Sequence, residues 1–202
     1  MYPGLDFLRM LLCALLLAIA AGPAQAEPTA AAIEERVGTL RPGGFAWEPE
    51  RAPSGAVEIV ISLADQRAFV FRGGTLIGAS TISSGKAGSE SPIGRFEILE
   101  KKRHHRSNRY DDAPMPFMQR LNWHGVALHG GHVPGYAASH GCIRLPMGFA
   151  QRLFGVTERG GFVFVTEESL SSPRQALALA RANADAPMFA DRTPAGARGG
   201  AN

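Results

Sequence analysis

Between residues 56 and 85 the chain sets three short β-branched stretches end to end: AVEIVISL (56–63), QRAFVFRGG (66–74) and TLIGASTISSG (75–85). Gly and turn residues separate them, and connections this short join antiparallel neighbours. The spacing therefore predicts a meander of three strands. RFEILEKK (95–102) alternates in the same way. FMQRLNWHGVALHGG (117–131) holds two further strands about a turn near Asn122 to Gly125, and FVFVTEE (162–168) is the last.

Two segments interrupt this pattern without an apolar period. KAGSESPIG (86–94) and HHRSNRYDDAPMP (104–116) read as a turn-rich loop and a long polar loop. Apolar spacing at Phe149, Leu153 and Phe154 predicts a short helix within 147–161. A second helix is predicted over 171–184, with Pro173 in its first turn behind a serine cap. Strands dominate the body, so residues 55–168 are expected to form one mostly-β domain with one or two small helices. Residues 27–54, rich in Ala, Pro, Gly and Glu, read as a flexible linker with a helical turn around Ala32 to Val37. Residues 169–202 read as the second helix followed by a disordered tail.

The first 26 residues carry a different signal. Arg9 precedes the apolar run MLLCALLLAIAA (10–21), and Ala24 and Ala26 form an A-x-A pattern. This is the pattern of a secretory signal peptide cut after Ala26. An uncut membrane anchor is the alternative, but the run falls short of the ~20 apolar residues a span needs. Cleavage removes Cys13 and leaves Cys142 as the sole cysteine. Structural cysteines of exported proteins come in pairs, so a single one is either a small buried hydrophobe or a reactive thiol. The net charge of +3 and pI of about 9.2 suit a polyanionic partner such as a carboxylate-bearing polymer, but are too weak to indicate nucleic acid.

The surroundings of Cys142 favour reactivity. LHGGHVPGYAASHGCIRLP (128–146) places His129, His132 and His140 around it in a glycine-rich stretch. A thiol attacks carbonyls as thiolate, and a histidine within reach can take its proton and return it to a leaving amine. Gly130 and Gly141 remove bulk, which would let backbone N–H groups face a developing oxyanion. Arg144 adds positive charge, while Ile143 between them faces the core. The same residues, His129, His132, His140 and Cys142, are also candidate zinc ligands. They lack the C-x-x-C or H-x-x-x-H spacing of common zinc sites, so no metal is expected. The basic cluster KKRHHR (101–106) reads as a solvated strand end or a site for carboxylates. Tyr110, Trp123 and Tyr136 read as groove-lining or core aromatics.

SHGCIRL (139–145) strongly resembles the signature of the L,D-transpeptidases, the YkuD domain: a histidine, a spacer, then Ser/Thr-His-Gly-Cys, an apolar residue and Asn or Arg. DQRAFVFRGGTLIG resembles the opening hairpin of that family, STISSGKAGSESPIGRFEI its segment ending T-P-x-G-x-F, and APMPFMQRLNWHGVALHGG its approach to the first histidine. The resemblance covers about residues 56–168. It implies a β-sandwich or mixed-sheet fold and a peptidoglycan enzyme of the cell envelope, exported to the periplasm. It implies Cys142 as nucleophile, His129 as proton donor and acceptor, His140 as the shaper of the pocket, and Gly141 with the Cys142 amide as oxyanion hole. Arg144, Ser139, Tyr136 and His132 are expected at the substrate, Ser139 also bracing the turn. The partners implied are peptidoglycan stem peptides, with a second stem, a lysine of an outer-membrane lipoprotein or water as acceptor, and no cofactor. A hydrolase of the same fold and a catalytically silent wall-binding module are the alternatives. Two departures stand out. The spacer after His129 is shorter than in many members, and Gly130 replaces the Ser or Thr that would orient the imidazole, leaving the choice among His129, His132 and His140 open.

Overall fold

The computed structural model describes residues 31–185 and 187–188. The expected signal peptide (1–26) and the end of the tail lie outside the described residues. Among the described residues, ten strands form two sheets. The larger has the order β1 (Phe45–Trp47), β4 (Thr75–Thr81), β3 (Arg67–Arg72), β2 (Val57–Ser62), β10 (Phe162–Thr166), β5 (Gly94–Glu97). The smaller has the order β6 (Glu100–Lys102), β7 (Met118–Arg120), β8 (Ala127–Gly130), β9 (Ile143–Leu145). The meander β2–β3–β4 is antiparallel as expected, whereas β10 runs parallel to β2 and β9 parallel to β8.

The apolar runs in the meander follow from a sheet covered on both faces. Ile59, Ile61, Val70, Val163 and Val165 point into a core shared with Leu128, Ile143 and Leu145 of the smaller sheet. Helix α2 (Met147–Val156) adds Phe149, Ala150 and Leu153 to that core. The alternate residues Val60, Phe69, Phe71 and Phe164 face the other way. There they meet Ile33 and Val37 of α1 (Ala31–Thr39) and Ala176 and Ala180 of α3 (Pro173–Ala182). α3 starts as read from sequence: Ser172 accepts a hydrogen bond from the Gln175 N–H, and Pro173 follows it.

Three expectations need correction. First, much of the supposed linker is part of the fold. α1 covers the outer face, and β1 pairs antiparallel with β4 along the sheet edge. Trp47 lies directly over Gly78, where any Cβ would sit 2.5 Å from the indole, and meets Phe149 edge-on at 5.5 Å. A three-residue strand is too short to show a period, so the sequence concealed it. Second, α3 belongs to the same body rather than to an appendage, because its apolar face closes the outer core. Third, the single strand read over 95–102 is two. The chain changes sheets at Ile98 and Leu99, whose N–H groups donate to Gly161 in one layer and Arg120 in the other. Among the described residues, three short α-helices therefore accompany the strands, where one or two were expected.

Candidate active site

The smaller sheet builds the site. Its strands turn Leu128, Ile143 and Leu145 toward the core, so their neighbours must face the other way. Those neighbours are Ala127, His129, Cys142 and Arg144, joined by Met118 and Arg120 of β7, and all six line one cavity of about 350 Å³. The register pairs Leu128 with Ile143 and His129 with Arg144. Cys142 immediately precedes β9, so it stands one diagonal step from His129 on the same face. Parallel pairing of two distant segments thus unites a histidine and a cysteine thirteen positions apart.

His129 is buried, and its Nδ1 lies 2.9 Å from the Gly130 carbonyl. A carbonyl only accepts, so Nδ1 carries the proton and Nε2 keeps its lone pair. Gly130 therefore orients the ring through its backbone carbonyl. A side chain at 130 would crowd Met147 Sδ at 2.9 Å and Pro116 Cγ at 3.3 Å. Burial pushes the imidazole pKa below its ordinary 6.5, against the pull of the Gly130 hydrogen bond. Burial likewise pushes the Cys142 thiol above its ordinary 9.0, opposed by the Ala127 backbone and by the charges of Arg144 and Arg120. The free protein thus holds a neutral thiol and a neutral imidazole. The thiol donates to the Gly125 carbonyl at 3.4 Å and packs against Met115, Met118 and Ala127.

The turn before the thiol is tightly braced. Gly141 has φ +115°, which side-chain-bearing residues rarely adopt. The Gly141 N–H donates to Ser139 Oγ at 3.1 Å, and the Gly130 N–H donates to the Pro116 carbonyl at 2.8 Å. Neither glycine amide is free for an oxyanion, which corrects that expectation; of the donors expected there, the Cys142 amide is the one left. Ser139 donates in turn to the Cys142 carbonyl, so its buried hydroxyl braces the turn, and the residue also lines the cavity.

The other expected residues are divided. His132, His140 and Arg144 line the cavity. Tyr136 does not: the residue is 65% exposed, and its carbonyl accepts from Ser83 Oγ. His140 is exposed and stacks on Tyr110, ring centroids 4.8 Å apart, which ties the polar loop 104–116, itself part of the cavity wall, to the cysteine turn. Sequence reasoning passed over Arg120, an unremarkable strand residue until β7 is placed. It lines the cavity, pairs with Glu100 at 2.8 Å and stacks on Trp123. The KKRHHR cluster disperses. Lys101 caps the carbonyl end of α2, Arg103 covers Phe117 and Phe154, and His105 alone of the six reaches the cavity. Arg109, Arg120, Arg144 and five histidines line the cavity, and no Asp or Glu does among the described residues. No group of three or more His, Cys, Asp or Glu among them is arranged to hold a metal.

The family model for the YkuD L,D-transpeptidase catalytic domain matches residues 56–165, more than half of the chain. This chain belongs to that family. Solved L,D-transpeptidases share its fold. One from Stackebrandtia nassauensis is 24% identical, with a TM-score of 0.51 over 55% of each chain. One from Mycobacterium tuberculosis is 22% identical, with a TM-score of 0.53 over 55% of this chain and 58% of that one. An L,D-transpeptidase solved in complex with imipenem is 25% identical, with a TM-score of 0.51 over 55% and 59%. The chain thus spans somewhat over half the length of these structures. No curated protein matches it.

Proposed function

We propose that the protein is a cysteine-dependent L,D-transpeptidase acting on peptidoglycan tetrapeptide stems in the periplasm. The observation that carries this reading is the shared face of β8 and β9, which turns Cys142 and His129 into one cavity with no carboxylate in its lining. Substrate brings the amide carbonyl to Sγ while His129 Nε2 takes the thiol proton. The sulfur–carbon bond forms and the carbonyl electron pair moves to oxygen, which the Cys142 N–H stabilises. Collapse breaks the carbon–nitrogen bond after the L-centre of the diamino acid. D-Ala leaves with the proton from His129, and a thioester remains. An amine attacks that thioester, giving a new amide and returning the thiol; a second stem gives a 3→3 cross-link.

The cationic lining supports a donor that carries carboxylates. The apolar run of residues 10–21 and the A-x-A pattern support export. The intact thiol and imidazole argue against a silent wall-binding module.

Incubation with purified sacculi, followed by muropeptide mass spectrometry, tests the reading. Dimers joined through two diamino acids are expected, and Cys142→Ala should abolish them with the fold intact by circular dichroism. Shortened monomers alone would make the protein an L,D-carboxypeptidase, and a muropeptide linked to a lipoprotein lysine would mark that acceptor. Unchanged turnover in Cys142→Ala would remove the nucleophile.

A further inference from the structure

The peptide group joining Gly141 to Cys142 is held from a loop that does not line the cavity. Ser91 Oγ donates to the Gly141 carbonyl at 2.9 Å and accepts the Gly85 N–H at 2.9 Å. The hydroxyl therefore makes one bond in each direction, and Ser91 is only 5% exposed. The sequence prepares this position. Pro92 follows Ser91 and restricts it to extended backbone. Gly85 permits the approach, because a Cβ there would lie 2.0 Å from the Ser89 carbonyl oxygen and 2.7 Å from the Ser91 nitrogen. The two residues before Gly85 are tied to the cysteine turn as well. Ser84 accepts the N–H groups of Ala138 and Ser139, and Ser83 exchanges backbone hydrogen bonds with Arg144.

No peptide bond among the described residues is cis. In a trans peptide the carbonyl and the following N–H point in opposite directions. Anchoring the Gly141 carbonyl to Ser91 therefore turns the Cys142 N–H the other way, away from the loop that holds Ser91. Ser139 engages the Gly141 N–H, so this peptide plane aims the donor that remains. We propose that Ser91 is a positioning residue for acyl transfer: its buried hydroxyl locks the Gly141–Cys142 peptide so that the Cys142 N–H meets the oxyanion. The proposal rests on Cys142 being the nucleophile. Ser91 touches neither substrate nor sulfur; it acts through one planar amide.

Two reagents that attack the same sulfur separate this role from a merely structural one. Imipenem acylates: the sulfur–carbon bond forms, the lactam oxygen carries charge, and the ring carbon–nitrogen bond breaks. Iodoacetamide alkylates by displacing iodide, with no oxyanion formed. Ser91→Ala is expected to slow acylation by imipenem about 10- to 100-fold, less than outright loss of an oxyanion donor. Alkylation should stay within about twofold, and Ser91→Thr should recover acylation. Equal slowing of both reactions would reduce Ser91 to a prop for the turn and overturn the proposal, as would unchanged acylation. Should Ser91→Ala fail to fold, the isosteric pair Ser91→Val and Ser91→Thr carries the same comparison. Wild-type protein that alkylates at Cys142 yet never acylates would sink the nucleophile reading, and this one with it.

Discussion

At His129 and Cys142 one buried environment acts on both side chains. Burial lowers the pKa of a base and raises that of an acid, so imidazole and thiol are each driven toward neutrality. His129 works as a base only while neutral, and its depressed pKa extends that form below pH 6.5. The acylation rate should therefore hold from neutral pH down past 6.5 and fall only in more acid buffer. Alkylation by iodoacetamide, which needs thiolate, should keep rising through pH 9. His129→Asn should remove the acid limb and lower the acylation rate by about 10²–10⁴. Stopped-flow rates between pH 5 and 10 measure all three, and an acid limb centred above pH 7 would contradict the assignment. His129 was legible as a candidate base from its type and its strand-like setting. The missing oxyanion donors at Gly130 and Gly141 were not, because a sequence does not say where an amide bonds.

At the scale of elements, β1 is the least obvious and among the most consequential. Its Trp47 bridges the sheet edge at Gly78 to Phe149 of α2, the helix that starts directly after the cysteine strand. The N-terminal segment thus supports the back of the site through one indole. Trp47→Ala should cost about 3 kcal/mol, the lower end for a large aromatic because the ring is only half-buried. Trp123→Ala, at a ring 66% exposed, should change stability by no more than about 0.5 kcal/mol. Urea unfolding of both variants makes the comparison, and similar midpoints would mean that β1 is ornamental. The strands of the meander were readable because six or seven residues suffice to show β-branching and turn punctuation. β1 and β9 have three residues each, and α1 offers little beyond Ile33 and Val37 as an apolar stripe.

Over the whole molecule, one ion-pair cluster links the sheet edge to the cavity. Lys102 and Arg120 hold the Glu100 carboxyl down to about 2 from its ordinary 4.5. A depressed carboxylate contributes stability above its unfolded pKa and loses it as pH falls through the folded one. The window here runs from about pH 4.5 to 2. Glu100→Gln should therefore melt below wild type at pH 7, and the two should converge near pH 2. Thermal melts at both pH values check this, and a gap persisting at pH 2 would assign the loss to packing instead. The same cluster directs Arg120 into the cavity, a role that appears only once β7 lies between β6 and β8.

The sequence by itself determined most of the segments that become strands, where they turn, and that a thiol and nearby histidines stand in a pattern suited to acyl transfer. Those properties reside in neighbouring residues: β-branching, glycine spacing, and a thiol set in Ser-His-Gly-Cys. Only the tertiary structure decided that β8 and β9 pair in parallel with His129 and Cys142 on one face. It alone divided residues 95–102 between two sheets, enrolled residues 31–52 in the core, and set Ser91 behind the Gly141–Cys142 peptide. Each of these depends on burial shared between segments far apart in the chain, and no local pattern records which distant surface will cover a given face.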